Sequence, residues 1–131
     1  MTTEVPQVFI IEDDENIAAI FKAAIDQAGL TSEIISDGQT ALEHLVNETP
    51  NAILLDLHLP FVSGQEILTY IRATERLAKT RVVVVSADVF KVEQLQKEGY
   101  ETLLKPVGFR QMYALAVQLK NSFLEPPEYY R

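Results

Sequence analysis

The chain has 131 residues, which suits one domain, and 47% of them are hydrophobic, enough for a real core and too many for a disordered chain. Eleven Lys and Arg stand against 19 Asp and Glu, a formal charge of −8; that sign argues against a nucleic-acid surface, which needs basic patches. There is no Cys, so disulfides, thiolate nucleophiles and Cys-based metal sites are excluded.

The N-terminus, M-T-T-E-V-P-Q, has no basic region followed by a long apolar segment, and no apolar run reaches the length of a membrane span. The expectation is a cytoplasmic protein with no membrane contact. Val8–Ile11 is a short apolar run after Pro6 and reads as a strand. Acidic residues follow at Glu12–Glu15. Ile17, Ile20, Phe21, Ala24, Ile25 and Ala28 then recur at helical spacing, and Gly29 supplies a stop. Glu33–Ser36 holds a shorter, more polar strand, and Gly38 marks a turn. Ala41, Leu42, Leu45 and Val46 predict a second helix, ended before Pro50. Ala52–Asp56 is a third strand. After Pro60 and Gly64, Ile67, Leu68 and Ile71 predict a third helix. Val82–Val85 is a run of valines, and Val89, Val92 and Leu95 mark a more polar helix that stops at Gly99. Thr102–Leu104 is a fifth strand. Met112, Leu115, Ala116, Leu119 and Phe123 predict a long last helix. The domain is expected over residues 1–124, with 125–131 as a tail containing two prolines.

Strands alternating with helices imply right-handed crossovers and a parallel sheet covered on both faces. Strands buried on both faces read as continuous apolar runs. Those at 8–11, 52–55 and 82–85 do so; the one at 33–36 belongs at an edge. The expected fold is a flavodoxin-like α/β three-layer sandwich with strand order 2-1-3-4-5.

In such a sheet the ligand site lies beyond the carboxyl ends of the strands. Glu12, Asp13 and Asp14 follow the first strand, Asp56 ends the third, Ser86 and Ala87 follow the fourth, and Lys105 and Pro106 follow the fifth. Clustered carboxylates repel one another, and a divalent cation relieves that repulsion. Oxygen donors suit Mg²⁺ or Mn²⁺. Mg²⁺ leaves room for phosphate oxygens, to which a Lys and a Ser can donate, so the set reads as a phosphoryl-transfer site with Asp56 as nucleophile.

Each feature has an ordinary reading when taken alone. Acidic residues favour helix N-termini. Asp56 can be a loop residue, Lys105 a solvated side chain and Ser86 a turn residue. His44, beside Leu45 on a helix, needs no special role. The coincidence of four strand ends is what outweighs these readings.

The motifs I-I-E-D-D-E, L-L-D-L-H-L-P-x-x-S-G, V-V-S-A and L-L-K-P, in that order, resemble the receiver domain of two-component response regulators over roughly residues 7 to 123. The resemblance implies that Asp56 is the phosphoacceptor, with Lys105 and Ser86 as its catalytic partners. It implies Mg²⁺ held by Glu12, Asp13, Asp56 and the main-chain carbonyl of His58, with Asp13 the more direct ligand of the acidic pair. Ser86 would bond one phosphoryl oxygen. Lys105 would pair with another, and with Asp56 at rest, across a Lys105–Pro106 bond that is often cis in the family. Ala87 is small, as phosphoryl access requires. His58 and Asp88 flank the site and would tune dephosphorylation. The donor would be a sensor histidine kinase or a histidine phosphotransfer protein. The chain would be no enzyme beyond its own phosphorylation and dephosphorylation. Output would run through a downstream protein target, through phosphate relay or through a separate domain, and a homodimer stays open.

One position departs from the pattern. Where the family has an aromatic switch residue, three before the Lys, this chain has Thr102. Ser86 and Thr102 are thus the switch positions. Tyr100, on the same side of the strand, is the substitute ring that spacing offers.

Other functions on this scaffold fit less well. An FMN carrier needs a Ser, Thr and Gly cradle after the first strand, where this chain is acidic. A dinucleotide binder needs G-x-G-x-x-G. A haloacid-dehalogenase-like phosphatase resembles D-x-D, and here the second position is His58. A receiver fold that works by protein contacts without phosphorylation is the remaining alternative.

Overall fold

The computed structural model describes residues 5–124. The tail expected at 125–131 lies outside the described residues.

Five strands, β1 (Gln7–Ile11), β2 (Thr31–Ile35), β3 (Ala52–Asp56), β4 (Arg81–Ser86) and β5 (Glu101–Leu104), form one parallel sheet in the order β2-β1-β3-β4-β5. They alternate with α1 (Glu15–Gln27), α2 (Gly38–Asn47), α3 (Gly64–Ala73), α4 (Val89–Lys97) and α5 (Phe109–Leu124), with a short 3₁₀ turn at Glu75–Leu77. This is the expected topology, and β2 is an edge strand as its polarity suggested. It starts two residues earlier than the apolar pattern indicated, because Thr31 pairs with Gln7 and its N–H donates to the carbonyl of Pro6.

Successive strand residues point to opposite faces, and both faces are covered. Val8, Ile10, Leu54, Val83 and Val85 pack with Phe21 and Ile25 of α1 and Met112 and Leu119 of α5. Phe9, Ile11, Ile53, Leu55 and Val84 pack on the other face with Leu45, Ile67, Leu68 and Leu95 of α2, α3 and α4. Every residue of β3 is buried, and Ile53, Leu54 and Leu55 each contribute about 1.5–3 kcal/mol. The sheet's centre is therefore rigid, and the groups at its carboxyl end inherit that rigidity.

The helix starts lie at the same end. Asp14 caps α1 by accepting from the N–H groups of Asn16 and Ile17. Ser63 and Glu66 form a reciprocal capping box on α3, and Asp88 caps α4. Asp14 is thus a helix cap, while its neighbours Glu12 and Asp13 are left for the site. Two helix starts also need glycine. A Cβ on Gly64 would collide with the Asp56 carbonyl, and one on Gly38 with the carbonyl of Val62. These contacts hold both ends of the loop between β3 and α3.

Candidate functional site: an acidic cleft at the carboxyl end of the sheet

Four strand ends converge. Asp56 closes β3 and is 4% exposed; Glu12, one residue past β1, is 2% exposed; Ser86 closes β4 and is fully buried. Asp13 is exposed at the rim. Carboxylate oxygens of Glu12, Asp13 and Asp56 lie within 4.8 Å of one another. Lys105, one residue past β5, places Nζ 2.8 Å from Glu12 Oε1 and 3.6 Å from Asp56 Oδ1. The Lys105–Pro106 bond is cis.

The backbone fixes each group. Lys105 donates its N–H to the Ser86 carbonyl at 2.8 Å, joining the ends of β4 and β5. Glu12 donates its N–H to Ile35, tying the end of β1 to β2, and its Oε2 accepts from Asp14 N at 3.2 Å. Asp56 Oδ1 accepts from His58 N at 3.1 Å, so the strand-to-loop turn aims the carboxylate. Ser86 Oγ accepts from Asp88 N at 3.1 Å. Ala87 is exposed beside it.

The electrostatics follow from this crowding. Burial, and then the nearby Asp56 charge, push Glu12 up to about 7 against the pull of Lys105. Burial also raises Asp56, against the His58 N–H and Lys105. Burial disfavours the Lys105 charge, but Glu12 and Asp56 more than offset it and raise its pKa. Lys105 reaches Glu12 Oε1 off the hydrogen-bonding direction, so that buried oxygen has no aligned donor. Three carboxylates with oxygens within 4.8 Å of one another and a single ammonium beside them fit a hard divalent cation.

The residues expected from the sequence divide into two groups. Glu12, Asp13, Asp56 and Lys105 are brought together, and Ser86 sits on the adjoining strand end. His58 contributes its backbone to the site, and its side chain is exposed. Thr102 lies further down β5, paired with Val84, and its buried Oγ1 has no hydrogen-bond partner. Tyr100 is a correction. It precedes β5, at the amino end of the sheet, with Arg72 stacked 5.5 Å from its ring centroid. Its ring faces the same side as Thr102 but stands at the wrong end to reach Asp56. Gly64 and Asp14, which position the site by close approach and capping, stand in two of the motifs but had been given no role beyond turn and helix-start signals.

The parallel sheet in the order 2-1-3-4-5, with carboxylates and a lysine at its carboxyl end, defines a receiver architecture. Residues 8–117 match the response regulator receiver domain, and the chain belongs to that family. It is 29% identical over 130 residues to the regulatory protein FilR2 of Methanothrix harundinacea (strain 6Ac), covering 89% of this chain and 83% of that protein. It is 25% identical over 119 residues to the DNA-binding transcriptional regulator NtrC of Escherichia coli (strain K12), covering 90% of this chain but only 25% of NtrC. The bacteriophytochrome response regulator RtBRR has a similar structure, with a TM-score of 0.78 and 25% identity over 95% of this chain and 86% of that one. Phosphorylation-dependent signalling is the standard function of the family, and its receiver domains bind Mg²⁺ at an acidic pocket. Among the described residues no helix is long and apolar enough to cross a membrane.

Proposed function

We propose that Asp56 is the phosphoacceptor of this receiver domain, and that Glu12, Asp13, Asp56 and the His58 carbonyl hold Mg²⁺ beside it. The observation that carries the reading is Asp56 itself. It is a buried carboxylate at the end of the central strand, oriented by His58 N–H and within reach of one half-buried lysine. An Asp56 oxygen forms a bond to phosphorus while the bond from phosphorus to a histidine nitrogen of the donor breaks. The donor imidazole keeps that electron pair and takes up a proton. Lys105 stays charged throughout and donates to a phosphoryl oxygen, and the Ser86 hydroxyl donates to another. Mg²⁺, when bound, neutralises the negative charge that the carboxylates and the phosphoryl group share.

The donor is a sensor histidine kinase or a histidine phosphotransfer protein, in the cytoplasm. The chain turns over only its own phosphoryl group. The change at Asp56 biases a two-state arrangement of Ser86, the β4–α4 loop and Thr102, which a downstream protein reads.

Incubation with acetyl phosphate and Mg²⁺, followed by intact mass measurement, tests this. One phosphoryl adduct is expected, and Asp56→Asn removes it. A folded, Mg²⁺-loaded chain that forms no adduct would favour a module working by protein contacts alone.

A further inference from the structure

A second cluster of metal-ligating side chains lies at the other side of the molecule, where α2 covers the edge strand β2. The register places Glu33 beside Phe9, which is fully buried beneath α2. His44 sits on Phe9 edge-to-face, with ring centroids 5.6 Å apart, and this contact sets the plane of its ring. One nitrogen then faces the strand and the other faces the end of the helix. Nε2 is 3.6 Å from Glu33 Oε2, and Nδ1 is 2.5 Å from Glu48 Oε2. One donor atom from each of the three residues lies within 4.8 Å of the others. Among the described residues neither carboxylate pairs with a Lys or Arg. Arg76, the nearest guanidinium partner of this segment, donates to the Glu48 carbonyl instead of its carboxylate. All three side chains are partly exposed, so an ion can enter.

We propose that His44, Glu33 and Glu48 form a binding site for one borderline divalent cation of the Zn²⁺ class. His44 Nε2 and Glu33 Oε2 are the direct ligands. Their present separation of 3.6 Å is close to the roughly 3.3 Å between two ligands of a tetrahedral ion with bonds of about 2.0–2.1 Å. Glu48 holds the proton on Nδ1, which leaves the Nε2 lone pair free for the ion and fixes the ring's direction. Water fills the remaining positions. The imidazole donor distinguishes this site from the all-oxygen cleft at Asp56, which selects Mg²⁺. Occupancy ties the edge strand to the helix that covers it.

The test is a calorimetric titration of the full chain with Zn²⁺ in excess Mg²⁺, which keeps the acidic cleft filled. One Zn²⁺ per chain is expected to bind, and His44→Gln abolishes it. Glu33→Gln weakens it by about tenfold or more, and Glu48→Gln by about 10–100-fold. The chain has only two histidines, so NMR of the imidazole rings gives a second readout that needs no variant. Zn²⁺ moves the His44 resonances and leaves His58 in place. Zn²⁺ binding that is unchanged in a folded His44→Gln variant would overturn the assignment, as would a wild-type titration that moves only His58 or neither ring.

Discussion

Lys105 stands closer to Glu12 than to Asp56, at 2.8 Å from Glu12 Oε1 and 3.6 Å from Asp56 Oδ1. The sequence resemblance implied a resting pair between Lys105 and Asp56. In the structure the lysine is shared, and the shorter contact goes to Glu12. The nearer donor to Asp56 Oδ1 is therefore the His58 N–H, at 3.1 Å, and not the ammonium. Lys105→Met keeps most of the stem but removes the one ammonium beside two buried carboxylates. It is expected to destabilise the Mg²⁺-free protein by about 3 kcal/mol above pH 7. Urea unfolding checks this, and the loss should shrink in acid, where Glu12 takes up a proton.

The raised pKa of Glu12 makes stability depend on pH in a defined direction. Its folded value of about 7 lies above the ordinary 4.5, so the folded state holds this proton more tightly than the unfolded chain. Its favourable contribution is full below pH 4.5 and is lost as pH rises through about 7. Asp56 is shifted in the same direction. Mg²⁺ replaces the proton, so its stabilising effect should be larger at about pH 8 than at about pH 5. Thermal unfolding with and without Mg²⁺ at the two pH values measures this. Glu12→Gln should unfold at higher temperature than wild type without Mg²⁺ at the higher pH, and should lose most of the Mg²⁺ response.

Thr102 carries a buried hydroxyl without a partner. An unsatisfied buried hydroxyl costs more than it returns, so Thr102→Val, of similar shape, is expected to raise stability by about 1 kcal/mol. Denaturant titration of the unphosphorylated protein reads this directly. The same variant should blunt the spectral change on phosphorylation if the hydroxyl finds its partner only in the phosphorylated state.

Tyr100 is held by Arg72 at the amino end of the sheet. Tyr100→Leu is expected to cost about 0.5–1 kcal/mol through loss of the cation–π contact. The rate of phosphorylation by acetyl phosphate and the resulting NMR shifts around Ser86 should be unchanged. A lost response around Ser86 would return this ring to the switch.

Much of this was legible in the chain before folding. The apolar runs at 8–11, 52–55 and 82–85 could only be strands buried on both faces, and the shorter, more polar run near 33–36 was correctly an edge. Placing groups at the carboxyl ends then required only strand order, so Glu12, Asp13, Asp56, Ser86 and Lys105 were all named. Distances within the cleft were not legible, because the balance between Glu12 and Asp56 for one lysine depends on strand-end geometry and not on spacing. Tyr100 shows a second limit. A spacing of two gives the face of a strand, but each residue also advances about 3.3 Å along it, and here that placed the ring at the far end. The meeting of Glu33 with His44 was hidden for a third reason. It depends on the register of β2 against β1 and on where α2 crosses, and neither is written in local pattern.

The groups of the cleft come from the ends of separate strands, and every loop that joins a helix back to the following strand lies at the opposite end of the sheet. The two ends of the molecule thus divide labour. New termini opened at the turn near Lys79, with the old ones joined, should leave adduct formation on Asp56 intact, because that turn crosses none of the strand-end contacts. Opening the chain between Leu57 and Gly64 should abolish it, because this loop carries His58 and is held at both ends by glycine contacts. The chain order of the strands is then incidental to the chemistry, which depends only on which ends meet.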